Sequence, residues 1–285
     1  MAVENLLMKV DTNISLESVI LSDINKQKIS DFLRETAARD KLLRYRLKPM
    51  NRLLFYGDSG CGKTYLSKAL SNHLNYTMLY IDIANAISSG SVAENISEIF
   101  KYANEKGNCI IFLDECDSIA WNRDTDKNSD GGTIRRATNS LFQQMDQMNT
   151  NNIIIAATNM LYRLDAAFER RFNQKLEFRR PNQSLDEIIQ KFLYTDLGFK
   201  VAHDLSQVTK SVVEKKMCTS YYEIQGVVER AMKDAVMQDT LVISETYIYK
   251  KLVEVMDIKV QFKTDEPDEK EQFTLPRYND DDAVY

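Results

Sequence analysis

The sequence predicts an α/β protein in which a parallel sheet is flanked by helices and is followed by a small all-helical domain. Strand-like apolar runs alternate with segments of helical spacing between residues 53 and 178. Such alternation is typical of a parallel sheet with helices on both faces. A glycine-rich turn separates the first strand from the first helix of this series, and only helical patterns follow Pro181.

The strands and helices of the sheet region can be taken in chain order. The continuous apolar runs 109–113 and 153–157 suit strands that are buried on both faces. The segments between the strands place apolar residues three and four positions apart, which is helical spacing. We predict strands at residues 53–56, 77–83, 109–113, 153–157 and 175–178, with helices at 63–74, 93–103 and 135–148.

The region after Pro181 reads as helices. Ser184 and Ser244 precede amphipathic segments and suit the N-cap position, and residues 222–236 form a third such segment. We therefore divide the chain into a large α/β domain, a small helical lid domain and a charged tail that we expect to be disordered. Their ranges are 1–181, with the core from about residue 15, then 182–258 and 259–285.

Composition and charge exclude several classes of protein. The chain has 285 residues, 44% hydrophobic and 28% charged, as in an ordinary globular protein. The net charge is −5, and residues 264–285 contribute −6 of it, so the remainder is nearly neutral at +1. No broad nucleic-acid footprint is indicated, and no apolar run is long enough for a membrane span. Without a recognisable signal peptide, we expect a cytoplasmic protein with reduced cysteines, and neither nucleic-acid nor membrane partners.

The glycine-rich turn fits the phosphate-loop pattern G-x-x-x-x-G-K-[ST] and lies between a predicted strand and a predicted helix. Its glycines allow backbone N–H groups to surround an oxyanion, and the helix adds its positive dipole end. Lys63 is expected to reach the β- and γ-phosphates, and Thr64 to ligate Mg²⁺. The predicted nucleotide-binding residues are Gly57, Asp58, Ser59, Gly60, Cys61, Gly62, Lys63, Thr64, Tyr65 and Asp114.

Polar side chains also follow two later strands. Asp114 and Glu115 end the buried run at 109–113, where ligands of parallel sheets gather. Asp114 suits a Mg²⁺ site, and Glu115 suits activation of the attacking water. Asn159 follows the run at 153–157. By themselves, Asn159 fits an ordinary turn, and Arg170 with Arg171 fit surface charges or ion pairs.

Together these motifs resemble the AAA family of ATPases, within the AAA+ superfamily, from about Ser15 to Val255. Residues 109–119 are similar to the family's Walker B segment. Residues 131–172 are similar to its second region of homology, which is more specific than the phosphate loop, or Walker A motif. The resemblance implies sheet order 5-1-4-3-2, ATP and Mg²⁺ as cofactors, and a homo-oligomeric ring, usually a hexamer.

The resemblance also implies roles for three further residues. Asn159 stands at sensor 1, and Arg170 and Arg171 stand where the family has arginine fingers that complete a neighbour's site. Together with Glu115, these are the predicted catalytic residues. Thr64 and Asp114 are the predicted metal residues.

The sequence departs from the family pattern at three places. Ser88-Ser89-Gly90 replaces the aromatic pore loop, which speaks against threading of a polypeptide, and Tyr221-Tyr222 replace small residues near the base. Ile20-Leu21-Ser22 stands where the family has Val-Gly-Gly on the adenine side, so different local contacts to the nucleotide are expected. Tyr221 or Tyr222 would stack on the base or serve the core or an interface. The leading hypothesis is a Mg²⁺-dependent ATP hydrolase that forms a ring and remodels or disassembles a protein partner. The alternative is a nucleotide-dependent switch or scaffold that controls an effector, for example in stress or phage defence.

Overall fold

Five parallel strands form the central sheet of the protein, seen in a computed structural model that describes residues 12–82, 92–119, 131–181, 183–203 and 219–264. The order is β2-β3-β4-β1-β5, which confirms the order 5-1-4-3-2 implied by the resemblance. The strands are β1 (Arg52–Gly57), β2 (Thr77–Asp82), β3 (Cys109–Asp114), β4 (Ile153–Thr158) and β5 (Gln174–Phe178).

The helices lie between and after these strands. All three helices predicted within the sheet region are present, and the first of them has the predicted ends. Two helices before β1 were not predicted. In chain order the helices are α1 (Asp23–Ala37), α2 (Arg39–Arg44), α3 (Lys63–Leu74), α4 (Val92–Lys106), α5 (Gly131–Gln147), α6 (Ala166–Glu169), α7 (Leu185–Phe192), α8 (Tyr221–Met237) and α9 (Glu245–Thr264).

The sheet has a hydrophobic core on each face. In β3, Ile110 and Phe112 belong to the core shared with α1 and α3, whereas Ile111 and Leu113 belong to the core shared with α4 and α5. Successive side chains of a strand point to opposite faces. Burial on both faces therefore explains why this strand is a continuous apolar run rather than an alternating one.

A third core lies in the C-terminal region and joins α7, α8 and α9. Ser184 and Ser244 accept hydrogen bonds from the backbone N–H groups of Glu187 and Tyr247, as expected of N-cap residues. The expectation of an all-helical region is corrected, because two short parallel strands pair there, β6 (Lys200–Ala202) and β7 (Val242–Ser244). Three residues are too few to show a strand period. Helix α9 also continues to Thr264, beyond the predicted domain end at residue 258.

Some predicted features lie outside the described residues. These are the pore-loop stretch Ser88-Ser89-Gly90, Cys218 and most of the acidic tail. The three cysteines that are described, Cys61, Cys109 and Cys116, are buried and free. In the described part of the chain, no helix is long and apolar enough to cross a membrane.

Candidate active site

A glycine-rich loop connects the end of β1 to the start of α3. Gly57 has φ of 125°, and a Cβ atom there would lie 2.0 Å from the carbonyl oxygen of Phe178 on β5. Gly60 and Gly62 also have positive φ angles, 70° and 98°. Because the N-cap residue Gly62 has no side chain, it leaves the first amides of α3 to an external acceptor. The loop therefore has the geometry of an anion cradle at a helix N-terminus.

Lys63 is the first residue of α3, and its side chain is buried, with the residue only 8% exposed. Nζ donates hydrogen bonds to the carbonyl oxygens of Gly57 (2.7 Å) and Asp58 (2.8 Å) and to Oδ1 of Asn159 (2.7 Å). Burial lowers the pKa of Lys63, and the negative charge of Asp114 acts in the opposite direction. The structure thus brings together the predicted phosphate-binding lysine and the predicted sensor residue.

Asp114 ends β3, and three donors hold its carboxylate. Oδ2 accepts hydrogen bonds from Thr64 Oγ1 (3.3 Å) and from the Tyr80 hydroxyl (2.9 Å), and Oδ1 accepts one from the Glu115 amide (3.0 Å). The two residues predicted to hold a metal, Thr64 and Asp114, are therefore in direct contact. Both offer oxygen atoms, which are the ligands that Mg²⁺ prefers, so the pair fits Mg²⁺ in its chemistry.

Glu115 follows directly and has a left-handed backbone with φ of 49°. This conformation costs a non-glycine residue about 1–2 kcal/mol. The Ser118 hydroxyl donates to the carbonyl oxygen of Glu115 at 2.8 Å and helps to hold the turn. The residue lines the same groove as Lys63 and Thr64, so a carboxylate stands beside the phosphate cradle.

Asn159 follows β4 beside β3. Next to it, Thr158 Oγ1 donates a hydrogen bond to Oδ1 of Asp117 at 2.6 Å and accepts one from the Met160 amide at 2.9 Å. These bonds tie the segment after β3 to the segment after β4. Asp117 was not singled out from the sequence, although its place three residues after a functional strand end was a usable signal.

Of the predicted site residues, 59–65, Asp114, Glu115 and Asn159 line one groove of about 420 Å³, whereas Gly57 and Asp58 do not line it. Its polar end contains the loop, Asp114, Glu115 and Asn159, and its other end has apolar and aromatic side chains. Such a division suits a nucleotide, with the phosphates at one end and the base at the other. The apolar end is lined by Val19, Ile20, Phe192, Tyr221 and Tyr222, of which Ile20 and the two tyrosines were singled out from the sequence.

The C-terminal region contacts the loop directly. The Tyr222 amide donates to the carbonyl oxygen of Gly60 at 3.1 Å, and a Cβ atom on Gly60 would lie 2.7 Å from Ser220 Oγ. Tyr221 is half-buried, packs against two of the three cores and donates its hydroxyl to Gln183 at 2.6 Å. Burial raises the pKa of Tyr221. The Tyr221 side chain therefore contacts the core, whereas the Tyr222 side chain is exposed.

Arg170 and Arg171 do not line the groove of their own chain. Arg171 donates to the carbonyl oxygen of Ala167 (2.9 Å), pairs with Asp146 (3.2 Å) and stacks its guanidinium 4.2 Å from the ring centre of Phe142. Arg170 is exposed, and its side chain has no ion pair with any described residue. Of the two arginines, only Arg170 is therefore free for a neighbouring molecule.

A further metal centre is not evident. No group of three or more His, Cys, Asp or Glu side chains has metal-binding geometry in the ranges that the structure describes. Burial raises the pKa of the Cys61 thiol in the loop. The groove is therefore the feature that concentrates the predicted chemistry.

Comparison with known proteins gives a consistent result. The family model for the "ATPase family associated with various cellular activities (AAA)" matches residues 53–180. An uncharacterized AAA family ATPase of Sinorhizobium fredii is 30% identical over 242 residues, which cover 83% of this chain and 70% of the relative. A protein of Methanocaldococcus jannaschii, named as a candidate homolog of a 26S proteasome regulatory subunit, is 27% identical over 238 residues, covering 78% and 62% of the two chains.

Proposed function

Because the chain belongs to the AAA family of ATPases, we propose that it couples Mg²⁺-dependent ATP hydrolysis in a ring of copies to the remodelling of a protein partner. The observation that carries the proposal is the convergence of Lys63, Asn159, Thr64 and Asp114 at one end of a groove with an apolar far end. This arrangement suits a triphosphate with a bound divalent cation at one end and a base at the other.

Each residue has a distinct role in this proposal. Lys63 neutralises phosphate charge, and Thr64 with Asp114 hold Mg²⁺, which when bound withdraws charge from the phosphate oxygens. Glu115 accepts a proton from the attacking water as that water bonds to the γ-phosphorus. Asn159 releases Lys63 and orients the water or the γ-phosphate. The bond between the γ-phosphorus and the oxygen that bridges it to the β-phosphorus then breaks, and ADP is released with that oxygen.

The position of Arg170 supports the assembly of several copies of the chain into a ring. The charge that builds up in phosphoryl transfer is commonly stabilised by an arginine, which is worth about 10³–10⁵ in rate. Neither Arg170 nor Arg171 lines the groove of its own chain. We therefore assign the finger to a neighbouring copy, with Arg170 as the freer of the two and a hexamer as the family-typical ring.

A protein partner is supported by the relative named for a proteasome regulatory subunit. The sequence Ser88-Ser89-Gly90 favours a second candidate, a nucleotide-dependent switch or scaffold that controls an effector, because it offers no aromatic residue to grip a threaded chain. A remodeller unfolds a tagged partner during turnover. A switch binds its partner in an ATP-dependent manner and leaves it folded.

The catalytic assignment is tested with Glu115→Gln. Without the carboxylate the water is not activated, so we expect turnover to fall at least about 100-fold while ATP binding persists. The measurements are phosphate release and nucleotide affinity, with Glu98→Gln, an exposed site on α4, as the matched control. Turnover of Glu115→Gln at the rate of the control would contradict the assignment. The same variant, loaded with ATP, should trap the partner for identification.

A further inference from the structure

We propose that Tyr80 is a positioning residue for Asp114, and that its hydroxyl holds the carboxylate in the orientation that serves Mg²⁺. This inference rests on the proposed function, which assigns Asp114 to the metal. Tyr80 itself does not line the groove. It therefore acts through Asp114 rather than on the nucleotide.

The register of β2 and β3 brings the two residues together. Tyr80 pairs with Phe112 in this parallel register, and Asp114 lies two positions further along β3. Residues two apart on a strand share a face, so Phe112 and Asp114 point to the same side of the sheet as Tyr80. The Tyr80 side chain is long enough to extend along the sheet from Phe112 to Asp114, and its hydroxyl lies 2.9 Å from Oδ2 of Asp114. A short side chain at position 80 would not span this distance.

Packing fixes the direction of the phenol. The ring centres of Tyr80 and Phe112 are 5.4 Å apart with planes tilted by 45°. The Tyr80 side chain is also partly buried against the core that contains Phe112. An aromatic ring held in this way loses little further freedom when its hydroxyl forms a hydrogen bond, so the donor is pre-organised.

The bond is a substantial part of what orients Asp114. On Oδ2 it is shorter than the bond from Thr64, 2.9 Å against 3.3 Å. Together with the Glu115 amide on Oδ1, it fixes the plane of the carboxylate. Hydrogen bonds to ionised groups are stronger than those between neutral groups. Loss of a group that supports a metal ligand typically costs about 10–100-fold in metal affinity or activity.

The experiment uses the full chain carrying Glu115→Gln, so that ATP is bound but not consumed. Binding of a fluorescent ATP analogue is titrated first in EDTA and then against free Mg²⁺. We expect Tyr80→Phe to keep the EDTA affinity of the parent and to raise the half-saturating Mg²⁺ concentration about 10-fold. The matched control is Tyr76→Phe, since Tyr76 packs against the same core but its hydroxyl accepts a hydrogen bond from Arg39.

Four results would overturn the inference. A Mg²⁺ requirement equal to that of the parent would show that the hydroxyl does not matter, and an equal shift in Tyr76→Phe would show a packing effect. Weaker binding in EDTA would show a general structural role. The proposed function is judged on the parent alone. A parent that binds no nucleotide with Mg²⁺ would refute that function, and this inference with it.

Discussion

At the scale of one residue, Lys63 shows what it costs to bury a charged group. An ammonium group removed from water loses solvation, and only part of the loss is returned by the three oxygens around it. Burial accordingly lowers the pKa of Lys63. In the proposed function, a bound phosphate adds further negative charge beside the ammonium group and offsets this cost.

This cost leads to a prediction about pH. Because Lys63 loses its proton at a lower pH in the folded chain than in the unfolded chain, the unfolded state binds more protons between the two pKa values. The folded state is therefore favoured as pH rises through this window, which ends near the ordinary lysine value of about 10.4. We expect the unfolding free energy of the wild type, minus that of Lys63→Met, to increase as the pH rises towards about 10.

Urea unfolding without nucleotide measures this difference. The tyrosines titrate in both proteins and cancel in the difference. Both proteins carry Cys61→Ser, because the thiol of Cys61 and the ammonium group of Lys63 shift each other's pKa. Lys26→Met, which removes the same charge from a side chain that is 63% exposed, is the control for the loss of one positive charge. A wild-type minus Lys63→Met difference that stays flat or falls would contradict the prediction.

The site residues differ in how well sequence alone could find them. Lys63, Thr64, Asp114 and Asn159 were found because they lie in a motif or directly after a buried strand, and parallel strands end at one edge of a sheet. Tyr80 was missed because its role depends on the register between β2 and β3, which no local pattern encodes. The internal contacts of a residue such as Arg171 are likewise set by tertiary packing.

At the scale of elements, the strands that could be predicted from the sequence were the longer and more deeply buried ones. The strands β3 and β4 were correctly predicted because five consecutive residues of β3 and six of β4 are buried. The three-residue strands β6 and β7 were missed, since so short a segment has no period. Helix α1 was also missed. Its buried residues Asn25, Ile29 and Phe32 have helical spacing, but they precede the first strand, where the alternation had not yet begun.

Substitution of alanine for each of two glycines, Gly57 at the end of β1 and Gly226 inside α8, should change stability in opposite directions. In Gly57→Ala the new Cβ would meet the carbonyl oxygen of Phe178 at 2.0 Å, so β5 must move away from β1. We expect a loss of at least about 2 kcal/mol in unfolding free energy. Gly226 lies inside α8 with nothing within 4 Å of its Cβ position. Gly226→Ala should therefore stabilise the protein by about 0.5–1 kcal/mol.

Chemical denaturation of the two variants beside the wild type tests both values, and each variant is the control for the other. Loss of stability in both would show that α8 has a contact at Gly226 in solution. An unchanged Gly57→Ala would show that β1 and β5 separate at little cost.

At the scale of the whole molecule, the groove lies where the sheet cores meet the C-terminal core. Tyr221 packs against both, and the Tyr222 amide binds Gly60 of the loop. Any change in the angle between the two parts therefore changes the width of the groove at its apolar end. In the proposed function, nucleotide exchange therefore depends on the angle between these two parts.

If each active site is completed by a neighbouring copy, mixing two inactive variants should restore part of the ATPase activity. Arg170→Ala and Glu115→Gln should each be nearly inactive alone, but a groove with intact Glu115 can meet an intact Arg170 on a Glu115→Gln neighbour. Random assembly of equal amounts should restore about a quarter of wild-type turnover. Arg171→Ala is the comparison, because it also breaks contacts to Asp146 and Phe142 and should melt at a lower temperature. Arg170→Ala should not. If no mixing ratio restores phosphate release, the finger does not come from Arg170 of a neighbour.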